Sequence, residues 1–399
     1  MWDKFVMEEV WGRHGKRKKL QQRLATSWKT ADLITVELGQ ARREVSAIFC
    51  NDRHIFCGQD NGIVGVYQSY DGQWERDLVP SEMMWGIKLL AGSVGVLAAV
   101  SRDVVLTVWN TSDQMKELHC FKAHNYRCRD VSCDHGADST IGQMKVIDPG
   151  KIAVLVEHHD QNKASLLFLK RIENVWDHDT LACFPLLMGD TLLAADDDLL
   201  AVAIEWRMRA RRRENVQRRF MLWQENKKTG QEIELPSRGG REVLAIFMEL
   251  PFLVLILSRD RRTAEVQVYR IGPEDQMKDV SSEATLVKTI CINNSETDEE
   301  MKLVSNQLFM GVVQQVWGSQ DWILNLYEKR FLFNNKPSTE VTGFSRQIHL
   351  PRSYPGDSPR VTLTNSSLII VWGERDEERR GRRKEFLIKK DFWATNNVL

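Results

Sequence analysis

The sequence predicts an all-β fold, a seven-bladed β-propeller, and three observations carry that expectation. First, short strand-like stretches that close in polar loops recur down the chain: VGVYQ near Tyr67, VLTVWN at Trp109, LLFLKR at Leu169, RFMLWQ at Trp223, VQVYRI at Tyr269, ILNLYE at Leu326 and KEFLIKK at Ile388. Their spacing, roughly 40 to 60 residues, is that of four-stranded blades. Second, each stretch is preceded by two more apolar strands, and the first six are followed by a polar or amphipathic one. Third, the last unit lacks its fourth strand, while one strand candidate, 33–38, stands unused before the first unit.

Each element has a physical reason. Strands covered on both faces by neighbouring blades read as continuous apolar runs, as FLVLILS and LIIVW do. An outer edge strand carries charge, which blunts unwanted pairing, as in EIELP and MKELHCF. The turn Asp60-Asn61-Gly62 supplies residues that tolerate positive φ where the chain reverses between the second and third strands. The strand 33–38 is expected to complete the last blade, removing two sheet edges. The domain reading is therefore 1–32 as a helical extension and 33–399 as a propeller closed by strand 33–38.

The segment Val45 to Gln68, VSAIFCNDRHIFCGQDNGIVGVYQ, resembles the first WD repeat of F-box/WD-repeat proteins. Gly58, Asp60 and Gly62 match the turn; Val64, Val66 and Tyr67 match the strand after it, and VVLTVWN matches the same strand one unit later. The remaining units are degenerate, so the resemblance implies a weakly conforming WD-like propeller. MWDKFVMEEVWGRH is similar to the segment that follows an F-box, and LQQRLATSWKTADLITVEL, with Trp28, to the connector into the propeller. The F-box itself is not visible ahead of them. The resemblance implies a substrate-recognition subunit of an SCF-type (cullin-RING) ubiquitin ligase, docking to the SCF adaptor only if an F-box is supplied upstream. A stand-alone WD-like scaffold, associated with ribonucleoprotein, is the alternative.

Bulk composition narrows the classes. The chain has 399 residues, 42% hydrophobic and 28% charged, with 55 Lys+Arg against 55 Asp+Glu. No net field steers it to nucleic acid or membrane, so such attraction must come from local patches. The seven cysteines, Cys50, Cys57, Cys120, Cys128, Cys133, Cys183 and Cys291, are scattered without a CxxC pair, which favours a reducing compartment. The N-terminus has no apolar h-region, and the longest apolar run, Leu250 to Leu257, is far shorter than the roughly 20 residues of a spanning helix. A cytoplasmic protein is expected, with the nucleus as alternative, and no membrane partner.

Catalytic and metal signatures are weak. His119, Cys120, His124, Cys128, Cys133 and His135 fall close together, but their spacing is not a known zinc grammar. Asp196-Asp197-Asp198 reads as a turn, and His158-His159 as a solvated loop. No GxSxG elbow, phosphate-cradling Gly-rich loop or HExxH occurs. The expectation is no enzyme, no cofactor and no metal.

Arginine clusters are the strongest binding signal. Arg207, Arg211 and Arg212 fall in the loop between the second and third strands of the fourth unit. Arg259, Arg261 and Arg262 fall in that loop of the fifth, and Arg379 and Arg382 in that of the seventh. Arg238 and Arg241 lie in the connection into the fifth unit. In a propeller all these loops emerge on one face. Guanidinium groups bond carboxylate and phosphate bidentately, so the face suits acidic or phosphorylated protein partners. RNA, through these arginines or the KRKK run at 16–19, is the alternative partner.

Overall fold

The computed structural model describes residues 34–82, 85–112, 114–122, 139–159, 163–173, 175–185, 192–196, 199–210, 213–224, 231–233, 243–260, 262–271, 284–293, 301–333, 346–351, 359–364, 366–376 and 382–391. The expected helical extension, 1–32, lies outside them. The described strands form seven four-stranded sheets. In chain order, β1 (Ile34–Gln40) stands apart from the sheet that follows it. The first sheet is β2 (Val45–Cys50), β3 (His54–Gln59), β4 (Val64–Gln68) and β5 (Trp74–Leu78). The second is β6 (Ile87–Ser93), β7 (Val96–Ser101), β8 (Val105–Asn110) and β9 (Glu117–Lys122). The third is β10 (Ser139–Asp148), β11 (Lys151–His158), β12 (Lys163–Ile172) and β13 (Val175–Pro185). The fourth is β14 (Leu192–Asp196), β15 (Leu199–Ala210), β16 (Arg213–Gln224) and β17 (Gln231–Ile233). The fifth is β18 (Val243–Glu249), β19 (Phe252–Asp260), β20 (Thr263–Arg270) and β21 (Thr285–Asn293). The sixth is β22 (Lys302–Ser305), β23 (Phe309–Gln315), β24 (Trp322–Glu328) and β25 (Arg346–His349). The last is β26 (Arg360–Leu363), β27 (Ser367–Asp376) and β28 (Arg382–Asp391), to which β1 adds antiparallel along the free edge of β28. One helical turn, Lys329–Leu332, is the only helix among the described residues.

The first strands of the sheets close a ring. β2 contacts β6, β6 contacts β10, and so on through β14, β18, β22 and β26 back to β2. They surround a central axis, and the sheets radiate from it as propeller blades.

Alternation within each strand builds the core. Leu253, Leu255 and Leu257 of β19 pack against the fourth blade, while Val254 and Ile256 between them pack against the sixth. Likewise Leu167 and Leu169 of β12 face the second blade, and Leu166 and Phe168 face the fourth. Successive residues point to opposite faces of a sheet, and here both faces are covered. That is why these strands read as unbroken apolar runs rather than as alternation. The core is a set of layers, one between each pair of neighbouring blades.

A polar bond also crosses every junction. Ser46 Oγ donates to the Ile87 carbonyl, and Lys88 Nζ to the Ile141 carbonyl at 3.2 Å. Gln143 Oε1 accepts the Leu193 N–H at 2.7 Å, and Asp196 Oδ2 the Leu250 N–H at 2.7 Å. Lys329 Nζ pairs with Glu249, Asn306 Nδ2 donates to the Thr364 carbonyl at 2.9 Å, and Arg360 Nε donates to the Ser46 carbonyl at 3.1 Å. Each such bond is worth about 1 kcal/mol net, and each fixes the height of one blade against the next.

Two sequence expectations need correction. Arg207 of the fourth blade and Arg382 of the seventh do not lie in loops but within strands: β15 and β16 stay paired out to Ala210↔Arg213, and β27 and β28 out to Asp376↔Arg382. Residue-by-residue pairing satisfies the backbone groups of these long charged hairpins, which charge density in the sequence concealed. His158 is not in a solvated loop. It is buried at the end of β11, with Nδ1 2.8 Å from Ser139 Oγ and Nε2 3.1 Å from Ser165 Oγ. Two serine hydroxyls satisfy both ring nitrogens, which lets an imidazole sit in the core.

Candidate functional site: the loop face

The turns between second and third strands, and the connections between blades, emerge on one face, called here the loop face. Two pairs of tryptophan and arginine stand on it.

The first lies between the first and second blades. Arg102 begins the turn after β7, and its backbone N–H donates to the carbonyls of Trp85 and Gly86, each at 2.9 Å. The Trp85 N–H donates in turn to Asp103 Oδ1 at 3.1 Å. The interblade connection is thus tied to the β7–β8 turn, and this holds the indole of Trp85 outward, 75% exposed. Gly86 has φ +45°, and a Cβ there would lie 3.1 Å from the Asp60 carbonyl and 3.3 Å from Arg102 Nε. Glycine therefore lets three segments meet closely. Asp60, Asn61, Trp85, Gly86 and Arg102 line an open cleft of about 280 Å³. The Asp60 backbone N–H is used, donating to the Glu44 carbonyl at 3.3 Å, while its carboxylate and the Arg102 guanidinium make no ion pair among the described residues.

The second lies between the fifth and sixth blades. Arg262 places its guanidinium 5.1 Å from the ring centre of Trp317, in the β23–β24 turn. Asp260 shapes the turn that carries Arg262: its Oδ1 accepts the Arg262 N–H at 2.8 Å and its Oδ2 the Thr263 hydroxyl at 2.7 Å. Those bonds, the Thr263 one foremost, hold the Asp260 carboxyl below the usual range.

The expected arginine set separates on inspection. Arg259 and Arg262 are exposed on the fifth blade's hairpin. Arg259 leans back over its own sheet, with Nη1 3.6 Å from Glu265 Oε1 and 3.7 Å from Cys291 Sγ, so part of its charge is already engaged. Arg207 lies in β15, opposite Val216, and Arg382 in β28, opposite Asp376. Arg211, Arg212, Arg238, Arg241, Arg261 and Arg379 lie outside the described residues. Sequence reasoning missed Trp85, Arg102 and Trp317. The available signal was a tryptophan followed by glycine, Trp85-Gly86 and Trp317-Gly318, at the edge of a strand run rather than inside it.

No group of three or more metal-ligating side chains occurs among the described residues. His119 stacks on Trp176 with ring centres 6.1 Å apart, and Cys120 accepts from Thr107 Oγ1 at 3.7 Å, so both serve packing in β9. His124, Cys128, Cys133 and His135 lie outside the described residues. Among the described residues, no helix is long and apolar enough to cross a membrane.

No family model matches the chain, and no curated protein matches it. Solved structures do. The β-propeller domain of Cps50 (Swd1) from Myceliophteria thermophila is similar at 9% identity and a TM-score of 0.54, covering 90% of this chain and 98% of that one. The RRP9 WD40 repeats are similar at 10% identity and a TM-score of 0.54, covering 90% of this chain and 100% of that one. U3-55K is similar at 10% identity and a TM-score of 0.54, covering 89% and 98%. The fold is thus an all-β propeller of the WD40 type. Membership of the F-box/WD-repeat family is not among what these likenesses show.

Proposed function

We propose that the chain is a non-catalytic interaction scaffold that docks protein partners on its loop face, favouring segments with acidic or phosphorylated side chains. The observation that carries this reading is the cleft between the first and second blades. There an outward-held Trp85 stands beside an Arg102 guanidinium without an ion pair among the described residues. Tryptophan and arginine are the side chains most often found at binding hot spots, because each combines large contact area with directional bonding. The WD40-type fold agrees with a scaffold, since rigid sheets present loops without moving. The ligase-receptor reading rests on residues 1–32, outside the described part, and draws no support from the loop face itself.

The test is affinity purification with the double variants Trp85→Ala/Arg102→Ala and Arg262→Ala/Trp317→Ala, with and without ribonuclease. Lys151→Ala/Arg171→Ala, at turns on the opposite face, is the control. Loss of shared protein partners from either loop-face variant, insensitive to ribonuclease and absent from the control, supports the reading. Loss only after ribonuclease would transfer it to the ribonucleoprotein scaffold, and equal loss from the control would remove the loop face from consideration.

A further inference from the structure

The β15–β16 hairpin outgrows its blade. β14 pairs with β15 only as far as Leu192↔Ala203, and β17 pairs with β16 only from Phe220↔Ile233. Beyond them β15 and β16 stay paired with each other through seven further couples, from Ile204↔Arg219 to Ala210↔Arg213. At about 3.4 Å per residue, this ribbon reaches roughly 20 Å past its flanking strands, on the loop-face side. Among the described residues no strand covers either of its edges. A two-stranded ribbon by itself is marginally stable in water, so one that stands clear of its sheet gains from a partner laid along it.

Register sorts the ribbon's residues between two faces, because opposite residues share a face and successive ones alternate. One face takes Glu205, Arg207 and Arg209 from β15, with Arg218, Val216 and Glu214 opposite them. Both of the ribbon's carboxylates are there, each opposite an arginine, Glu205↔Arg218 and Arg209↔Glu214, so this face is nearly neutral within itself. The other face has no carboxylate. β15 gives it Ile204, Trp206, Met208 and Ala210, and β16 gives it Arg219, Gln217, Asn215 and Arg213 in the opposite places. A tryptophan in an apolar row thus runs beside a row of two arginines and two amides. The architecture does not require this: in the corresponding hairpin of the seventh blade, Glu374 stands opposite Lys384 and Asp376 opposite Arg382.

We propose that the carboxylate-free face of the β15–β16 ribbon binds single-stranded nucleic acid. Its residue types are those such a ligand uses: arginine for phosphate, tryptophan for the stacking of a base, and asparagine and glutamine for base edges. The attraction is local, since the chain as a whole carries 55 Lys+Arg against 55 Asp+Glu. A second copy of this face would set arginine against arginine. An acidic peptide would meet the arginines but leave the tryptophan and the amides without the base they suit. This inference depends neither on the Trp85 cleft nor on the docking of protein partners.

The test is fluorescence anisotropy of the full chain over a range of salt, with four labelled probes. They are a single-stranded RNA of mixed sequence about 15 nucleotides long, the DNA of the same sequence, the RNA duplex and a glutamate-rich peptide. The wild-type chain is expected to bind at least one single strand more tightly than the duplex or the peptide, the tighter strand identifying the source. Trp206→Ala is expected to weaken binding about tenfold at an unchanged salt slope, and Trp206→Phe to restore most of it. Arg213→Gln/Arg219→Gln is expected to weaken binding and to reduce the slope of log K against log salt by about 1.4, the share of two phosphate contacts. Arg382→Gln/Arg383→Gln, an equal charge change on the seventh blade's hairpin, and Trp85→Ala/Arg102→Ala should leave the affinity unchanged. The proposal fails if neither single strand binds, if the duplex binds as tightly, or if Trp206→Ala binds as the wild type does. It fails equally if the seventh-blade variant weakens binding as much as Arg213→Gln/Arg219→Gln does, or if the peptide binds as tightly, which would make the ribbon a site for acidic protein segments.

Discussion

Cys50 and Cys57 show what a single buried side chain asks of its surroundings. Both lie in the layer between the last and first blades, and neither is in a disulfide. Burial pushes the Cys50 thiol from its ordinary 9.0 up to about 12, and pushes Cys57 up as well, with Glu385 adding to the effect there. A thiol whose pKa is raised in the folded state keeps its proton where the unfolded chain loses it. Its contribution is therefore complete below about pH 9 and is lost as pH rises towards 12. Stability should fall steeply across that window, and Cys50→Ala/Cys57→Ala should flatten the fall even while lowering stability at pH 7. Urea midpoints measured from pH 7 to pH 11 check this; parallel curves for the two proteins would contradict it.

β1 illustrates an element whose role lies wholly in its partner. Its backbone pairs with β28 from Ile34↔Asp391 to Gln40↔Phe386, with a bulge between Glu37 and Gly39. The bulge turns Leu38 inward, 6% exposed, into a layer with Val45, Tyr67, Ile369 and Leu387. Gly72, at φ +72°, presses on it from the first blade, and a Cβ there would lie 2.4 Å from Leu38 Cβ. Leu38→Ala is expected to cost about 2–5 kcal/mol, as large-to-small changes in packed cores do. Deleting residues 1–40 should lower Tm further and bare the edge of β28, so the chain should elute as oligomers. Differential scanning fluorimetry and size-exclusion chromatography read both effects; a monomer with unchanged Tm would show that β1 contributes nothing to closure.

At the scale of the molecule, the last junction closes the ring, and one buried pair latches it. Glu385 on β28 is fully shielded; its Oε1 meets Arg360 Nη1 at 3.0 Å, its Oε2 accepts the Val45 N–H, and its carbonyl accepts the Ala41 N–H at 2.7 Å. Because every blade is covered by two neighbours, opening one junction exposes layers on both sides of it. Glu385→Ala leaves the Arg360 charge without its carboxylate and the Val45 N–H unsatisfied, an expected loss of about 3–5 kcal/mol. It should move the whole unfolding transition, with circular dichroism and tryptophan fluorescence changing together, rather than create an early phase for the last blade. Separate transitions by the two probes would show the blades to be independent.

Strand content and order were legible in the sequence because they are local. A run such as FLVLILS, bounded by polar turns, already states a strand covered on both faces, and the charged outer strands state edges. Even the spare strand before the first unit could be read, since an unpaired edge is costly wherever it falls. What only the tertiary structure decided are relations between residues far apart in the chain. Val45 meets Glu385 across the closure, and Arg262 finds Trp317 only because two blades stand side by side. The arginine signal pointed to the loop face but put Arg207 and Arg382 in loops, where the structure has them in paired strands, because charge density along a chain does not say which strands stay paired through it. The sorting of lysine and carboxylate along the axis has the same origin. Six of the seven inner strands, all but β2, contribute one or two charges without any local pattern, and a ring running every first strand in the same direction gathers Lys88, Lys302 and Arg360 at one end and Asp148, Asp196 and Glu249 at the other.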